Sequence, residues 1–167
     1  MRPDRGLGHY LRDVVYGSID GVVTTVAVIA GAAGAHLDPS VGLVLGAANL
    51  SADGLSMAVS NYLGLKSELE QNHLSVEAEQ PVRHALATFA AFVLIGAIPL
   101  LAYLLPGSVR LAVAFGLAIA ALAIVGGARA RFLGRTPIRC ALEMVALGMA
   151  AIVVAYGTGL GVERALR

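Results

Sequence analysis

The chain has no tryptophan, a single cysteine and few charged side chains, 14% of its 167 residues. Each shortage excludes something. Without Trp, any interfacial aromatic belt falls to the five tyrosines, with arginine beside them. Cys140 alone forms no intramolecular disulfide, and no CxxC site exists. Charge this sparse against 57% hydrophobic residues excludes a soluble domain with a solvated surface. The formal net charge is +1 and the basic residues flank apolar runs instead of forming one face, which argues against a nucleic-acid partner. No GxSxG, P-loop or HExxH pattern occurs, so hydrolase and ATPase readings have no support, and the chain is not read as an enzyme.

What is present is long apolar segments. Five can be read, approximately residues 14–36, 41–65, 85–105, 109–128 and 140–162. At about 1.5 Å per residue, segments of roughly 20 to 25 residues are about 30 to 38 Å long, enough to cross a bilayer with some tilt. The breaks are turn-like: His36-Leu37-Asp38-Pro39-Ser40, Leu105-Pro106-Gly107-Ser108 and Gly134-Arg135-Thr136-Pro137. The expected fold is therefore all-α, one transmembrane domain over residues 1–167 embedded in a lipid bilayer. A cleavable signal peptide is the competing reading of the first segment, with Arg12 before it and Ala33 and Ala35 near its end. The length of the run and the acid inside it argue against that.

Orientation follows from the basic residues. Arg2, Arg5, Arg12, Lys66, Arg83, Arg129, Arg131, Arg135 and Arg139 fall on one side of the membrane, and only Arg110, Arg164 and Arg167 on the other. The positive-inside rule then places the N-terminus in the cytoplasm and the C-terminus outside.

Against this apolar background stand Asp20 and Asp53, each followed directly by glycine. A carboxylate at mid-membrane costs roughly 2.5 to 3.5 kcal/mol on insertion scales, so each is a functional-site candidate by default. On the second segment Asn49, Asp53, Met57 and Asn61 recur every four residues, and Ser56, Ser60, Gly64 and Glu68 continue that side as the helical period drifts. On the first, Asp13, Gly17, Asp20, Gly21, Thr24 and Gly31 share a broad face. A carboxylate stripe on each of two neighbouring helices suggests a lined pathway, with Asp13 and Glu68 at its cytoplasmic entrance.

Carboxylates, amide oxygens and hydroxyls suit hard or borderline divalent cations, and a thioether at Met57 adds a softer ligand that favours a transition metal over Mg2+ or Ca2+. Fe2+ or Mn2+ fits that mixture, with Co2+ and Ni2+ still in the set. No His or Cys lies within the stripes, which disfavours zinc and copper. Each residue has a plainer reading: Met57 as packing, the aspartates as hydrogen-bond partners of a neighbouring helix. Against the second, no intramembrane Lys or Arg balances the two acids. A carboxylate without a cation in a low-dielectric site takes up a proton, so metal binding displaces protons and one site exchanges both. Metal/proton antiport is the leading reading. A non-transporting membrane metal-binding or sensor protein is the alternative, and an intramembrane enzyme using paired acids is the weakest.

The runs RDVVYGSIDGVVTT from Arg12 to Thr25, NLSADGLSMA from Asn49 to Ala58 and YLGLKSE from Tyr62 to Glu68 resemble the vacuolar iron transporter family. The likeness continues weakly through Gly96 to Leu101 and Ala155 to Gly159 and covers nearly the whole chain. It implies a five-helix homodimer that moves Fe2+, and often Mn2+, out of the cytosol in exchange for protons. The pathway in such proteins runs between the subunits, lined by the first two helices, and the positions of Asp20 and Met57 form the intramembrane metal site. For a chain read as prokaryotic, the membrane is the inner or plasma membrane and the destination the exterior or periplasm. No permanently bound cofactor is implied, since the metal is cargo.

Two departures stand out. Many members insert a glutamate-rich cytoplasmic domain after the second helix, whereas here only about 15 residues, Glu68 to Arg83, make the connection. Within them Glu70, His73 and Glu77 have helical i, i+3 and i+7 spacing, read as the solvated end of a helix or as a weak metal-collecting patch. Asn49 stands where plant transporters carry a carboxylate; it still offers a carbonyl oxygen but not a charge. The pairs Gly17/Gly21, Gly42/Gly46 and Gly157/Gly161 permit close helix approach, within one subunit or across a dimer. Pro99 is expected to kink the third helix, Arg139 and Glu143 to pair at i, i+4, and Cys140 to be a structural thiol.

Overall fold

The computed structural model describes Leu7–Arg167, apart from the side chains at positions 7, 8, 77, 78 and 108. Arg2 and Arg5, counted in the charge balance above, lie outside the described residues. A 3-10 turn at Leu7–Tyr10 leads into α1 (Leu11–Gly34), followed by α2 (Pro39–Gln71), a single turn α3 (Val76–Glu79), α4 (Pro81–Gly96) continued by a 3-10 segment (Ile98–Leu104), α5 (Gly107–Leu133) and α6 (Pro137–Leu166). Five helical stretches are long and apolar enough to cross a membrane, with α4 and its 3-10 continuation forming the third. Among the described residues no strand occurs.

Local chemistry sets the helix ends. Pro39, Pro81 and Pro137 occupy the first turns of α2, α4 and α6, where a missing N–H costs nothing. α5 stops at Gly134, whose φ of 62° is the left-handed C-terminal geometry that glycine adopts without strain. α2 outlasts its apolar segment by almost two turns: no breaker intervenes before Asn72, and Lys66 and Glu70 pair at 3.8 Å along the helix. Pro99 cannot donate to the α-helical ladder, and α4 gives way at Gly96 to the 3-10 segment.

Asp38 caps α2, accepting hydrogen bonds from the Ser40 hydroxyl and from the Ser40 backbone N–H at 2.8 Å. These bonds hold its carboxyl below the usual carboxylate range, the hydroxyl contributing most. Because the folded-state value is the lower one, the cap stabilises fully above the unfolded value of about 3.9 and fades as pH falls through the folded value. Asp38→Ala is therefore expected to lower the melting temperature near neutral pH and to leave a smaller difference from wild type at about pH 3, read by circular dichroism in detergent.

α1 is the central helix and packs against α2, α4, α5 and α6, with α2 beside α4 and α5 beside α6. Glycine permits its close contact with α4. A Cβ on Gly17 would stand 2.5 Å from the Thr88 carbonyl oxygen, and one on Gly21 would collide with that of Phe92. This first glycine pair thus packs within the subunit, and Gly42 and Gly46 likewise meet Tyr103 and Leu100 of the same chain. Val22, Val26 and Ala30 of α1 meet Ala118, Leu122, Met144 and Ile152 in the core on the other side. Cys140 is wholly buried, its backbone against Gly126 of α5, as a structural thiol should be. The Arg139–Glu143 pairing is corrected: Glu143 accepts from Arg129 of α5 at 3.1 Å, because α5 and α6 lie side by side and bring that guanidinium across.

Candidate functional site

The seam between α1 and α2 holds the residues that the polar stripes single out. Asn49, Asp53, Met57 and Asn61 are all half-buried, while Ser56, Ser60, Gly64 and Glu68 on the adjoining side of α2 are exposed. Along α1 the broad polar face is divided. Asp13, Gly17 and Gly21 are buried, the glycines against α4, whereas Asp20 and Thr24 stay half-buried toward the seam. The physical reason is that three helices share that face, and the close α1–α4 contact takes its glycine edge.

Among the described residues, Asp20 and Asp53 have hydrogen-bond partners only within their own helices. The Thr24 hydroxyl donates to Asp20 Oδ1 at 3.5 Å, and Asn49 Nδ2 donates to Asp53 Oδ2 at 2.9 Å, both at i, i+4 spacing. The two carboxylates are near enough for their charges to interact. No Lys, Arg or His among the described residues forms an ion pair with either. Asn49 thus serves first as a donor that braces Asp53.

Asp13 has different surroundings. It is 3% exposed and accepts from Asn61 Nδ2 at 2.8 Å, with Oδ2 2.5 Å from His84 Nδ1 and Arg12 Nε 3.9 Å away. Asn61 also donates to Thr88 Oγ1 at 2.7 Å and accepts from Arg12 at 3.4 Å. Asn61 therefore belongs to the Asp13 network and not to the Asp20–Asp53 pair. Thr88 in turn donates to the His84 carbonyl at 3.0 Å, which ties the network to α4.

Two open cavities lie along the seam. One of about 430 Å³ is lined by Asp13, Tyr16, Ser56, Met57, Ser60 and Asn61 at the arginine-rich end. The other, about 410 Å³, is lined by Val28, Leu45, Ala48, Asn49 and Ala52 toward the opposite end. Asp53 falls between Asn49 and Met57 on α2, so the acidic pair occupies the stretch between the two openings.

The connection after α2 does not place Glu70, His73 and Glu77 on one helix face. α2 ends at Gln71, and His73 has a left-handed φ of 54°, which breaks the helical spacing. Glu70 and His73 are exposed, and the Glu77 side chain lies outside the described residues. Sequence reasoning missed His84 and Thr88 on the third span; their i, i+4 spacing was the available signal.

Fold and seam together define a polytopic helical membrane protein whose first two spans hold two carboxylates, without an ion-pair partner among the described residues, between two open cavities. A sequence model of the VIT family matches residues 11–80 and 69–160, and the chain belongs to that family. The two matched stretches overlap in the connection between α2 and α4, which is short here. A vacuolar iron transporter of Toxoplasma gondii is 25% identical over 226 residues, covering 90% of this chain and 73% of its own. Vacuolar iron transporter 1 of Oryza sativa is 23% identical, covering 93% and 86%, and that of Arabidopsis thaliana 27%, covering 89% and 84%. The first of these alignments is longer than the chain itself, so that relative carries residues without counterpart here.

Proposed function

We propose that this protein exports Fe2+, with Mn2+ as a second substrate, in exchange for protons along the α1–α2 seam. The observation that carries the reading is the pair Asp20 and Asp53, half-buried in apolar helices beside open cavities and with no cationic side chain paired to either among the described residues. Uncompensated carboxylates in such a place need a metal ion or protons. The relatives named as iron transporters support iron as the cargo. Asp20 and Met57 are assigned to the metal, Asp53 and Asn49 to the next coordination step along the seam, and Asp13 with Asn61 to its entrance. In the empty state the acids hold protons; an entering divalent ion displaces them, and their return releases the ion. The arginine-rich end is assigned to the cytoplasm and the far end to the cell exterior or periplasm of a prokaryotic membrane.

A second copy completes the pathway in this reading. Ser56, Ser60 and Gly64 form an exposed strip on α2, whose hydroxyls hydrocarbon solvates poorly and a facing α2 solvates well. Cysteine placed at Ser56 or Ser60 is expected to give a disulfide-linked dimer on oxidation of native membranes, since the native thiol at Cys140 is buried and does not compete. Monomer at both positions would remove the second copy from the pathway.

Expression in iron-sensitive cells tests the transport claim. Export lowers cytosolic iron and rescues growth; unchanged cytosolic iron with metal still bound to the purified protein identifies the non-transporting alternative instead.

A further inference from the structure

A second cluster of ligating side chains lies at the arginine-rich end, outside the seam. His9 precedes α1, Glu79 closes α3 and His84 sits in the second turn of α4. His84 Nε2 is 3.0 Å from His9 Nε2, Glu79 Oε2 is 3.6 Å from the same His9 nitrogen, and one ligand atom from each residue falls within 4.8 Å of the others. We propose that His9, Glu79 and His84 form a binding site for one divalent transition-metal ion, distinct from the carboxylates of the seam.

Two observations point to a ligand. The first is the separation of the imidazole nitrogens. Two nitrogens on one tetrahedral ion, each about 2.0–2.1 Å from it, stand roughly 3.3 Å apart, and the two here are within a few tenths of an ångström of that. The second is the arrangement behind His84. Its Nδ1 meets the buried Asp13 carboxylate at 2.5 Å, and Asp13 is itself fixed by Asn61. A carboxylate on the far nitrogen of an imidazole selects the tautomer whose near nitrogen carries the lone pair, as second-shell carboxylates do behind metal-bound histidines. That near nitrogen is the one aimed at His9.

Two imidazoles and one carboxylate select borderline ions such as Fe2+, Co2+ and Zn2+ over Mg2+ and Ca2+, and three protein ligands leave coordination open for water or for release. The site differs in kind from the seam, which offers oxygen and thioether. Asp13 touches both, lining the entrance cavity with one side of its network and bracing His84 with the other.

The test is titration of the purified full-length protein in detergent with Co2+ alone, reading the visible absorption that a low-symmetry nitrogen and oxygen site confers. One equivalent is expected to give the spectrum and excess Zn2+ to abolish it. His9→Ala is expected to weaken binding by more than about 100-fold and Asp13→Asn, acting through His84, by roughly 10–100-fold. Asp20→Asn/Asp53→Asn is expected to keep the spectrum. Circular dichroism on each variant separates lost binding from lost fold, and His9, half-exposed, is the variant that tests the site if buried His84→Ala does not fold. Wild-type binding in folded His9→Ala overturns the proposal, leaving the histidines as a hydrogen-bonded pair; loss of the spectrum in the Asp20/Asp53 variant overturns it too, by placing the ion in the seam. No gradient enters the measurement, so a protein that transports without this spectrum overturns the second site alone, and one that binds here without transporting overturns only the transport reading.

Discussion

Asp20→Asn is expected to reduce metal-driven proton flux to background while leaving the protein folded. Asparagine keeps the size of the side chain and an oxygen that still accepts from Thr24, the hydrogen bond now made at 3.5 Å. What it removes is charge, and with it both the attraction for a divalent ion and the group that carries a proton. Loss of a supporting residue around a metal costs about 10–100-fold in affinity, so loss of a charged ligand is expected to cost at least roughly 100-fold in transport. Stability should hold, because the side chain keeps its size and its hydrogen bond and no ion pair among the described residues is broken. That separation makes the result interpretable: unchanged melting with abolished flux assigns Asp20 to function. Asp53→Asn tests the division of labour. It is expected to suppress proton exchange more than metal binding, since Asn49 already supplies a donor to that position. Wild-type proton flux in both variants would refute the antiport mechanism.

Gly21→Leu is expected to be strongly destabilising. Even a Cβ there collides with the carbonyl of Phe92, and Gly96 of α4 comes back against Gly21 from the other helix. The obstacle is backbone, which cannot rotate away as a flexible side chain does. Overpacking a well-filled contact costs about 1–3 kcal/mol, and a branched side chain against a carbonyl belongs at the upper end or beyond. At roughly 2–4 °C per kcal/mol for a chain of this size, a fall of about 6–12 °C in melting temperature is expected. Gly116→Leu is the control: no atom lies within 4 Å of its added Cβ, the residue is exposed, and lipid accommodates the new side chain. A Gly21 variant that melts with wild type would mean that α1 and α4 are not in close backbone contact.

Much of this was legible in the chain because membrane helices report themselves through local composition. Apolar runs between Pro and Gly breaks located the five spans, and Pro99 marked the place where the third loses its α-helical ladder. The four-residue recurrence of Asn49, Asp53, Met57 and Asn61 placed them on one side of α2, where they are all half-buried. What local pattern does not encode is which helix each face meets. The side of α1 carrying Asp13, Gly17, Asp20 and Gly21 looks uniform in sequence, yet α4 takes the glycines and the seam keeps Asp20. For the same reason the i, i+4 spacing of His84 and Thr88 says little by itself: the significance of His84 comes from Asp13, 71 residues earlier, and from His9, 75 residues earlier. In the connection after α2, Glu70 is the exposed end of the helix, and the helical spacing to His73 and Glu77 fails because the chain turns through a left-handed residue past Gln71.

Internal pH recorded in proteoliposomes as Fe2+ or Mn2+ is added outside, with metal uptake measured in the same vesicles, tests the account most directly. Proton-coupled exchange through the α1–α2 seam predicts metal entry accompanied by alkalinisation of the lumen, faster when the lumen starts acidic, and absent in Asp20→Asn. Metal entry without any proton movement, or equal fluxes of both in wild type and Asp20→Asn, would contradict it.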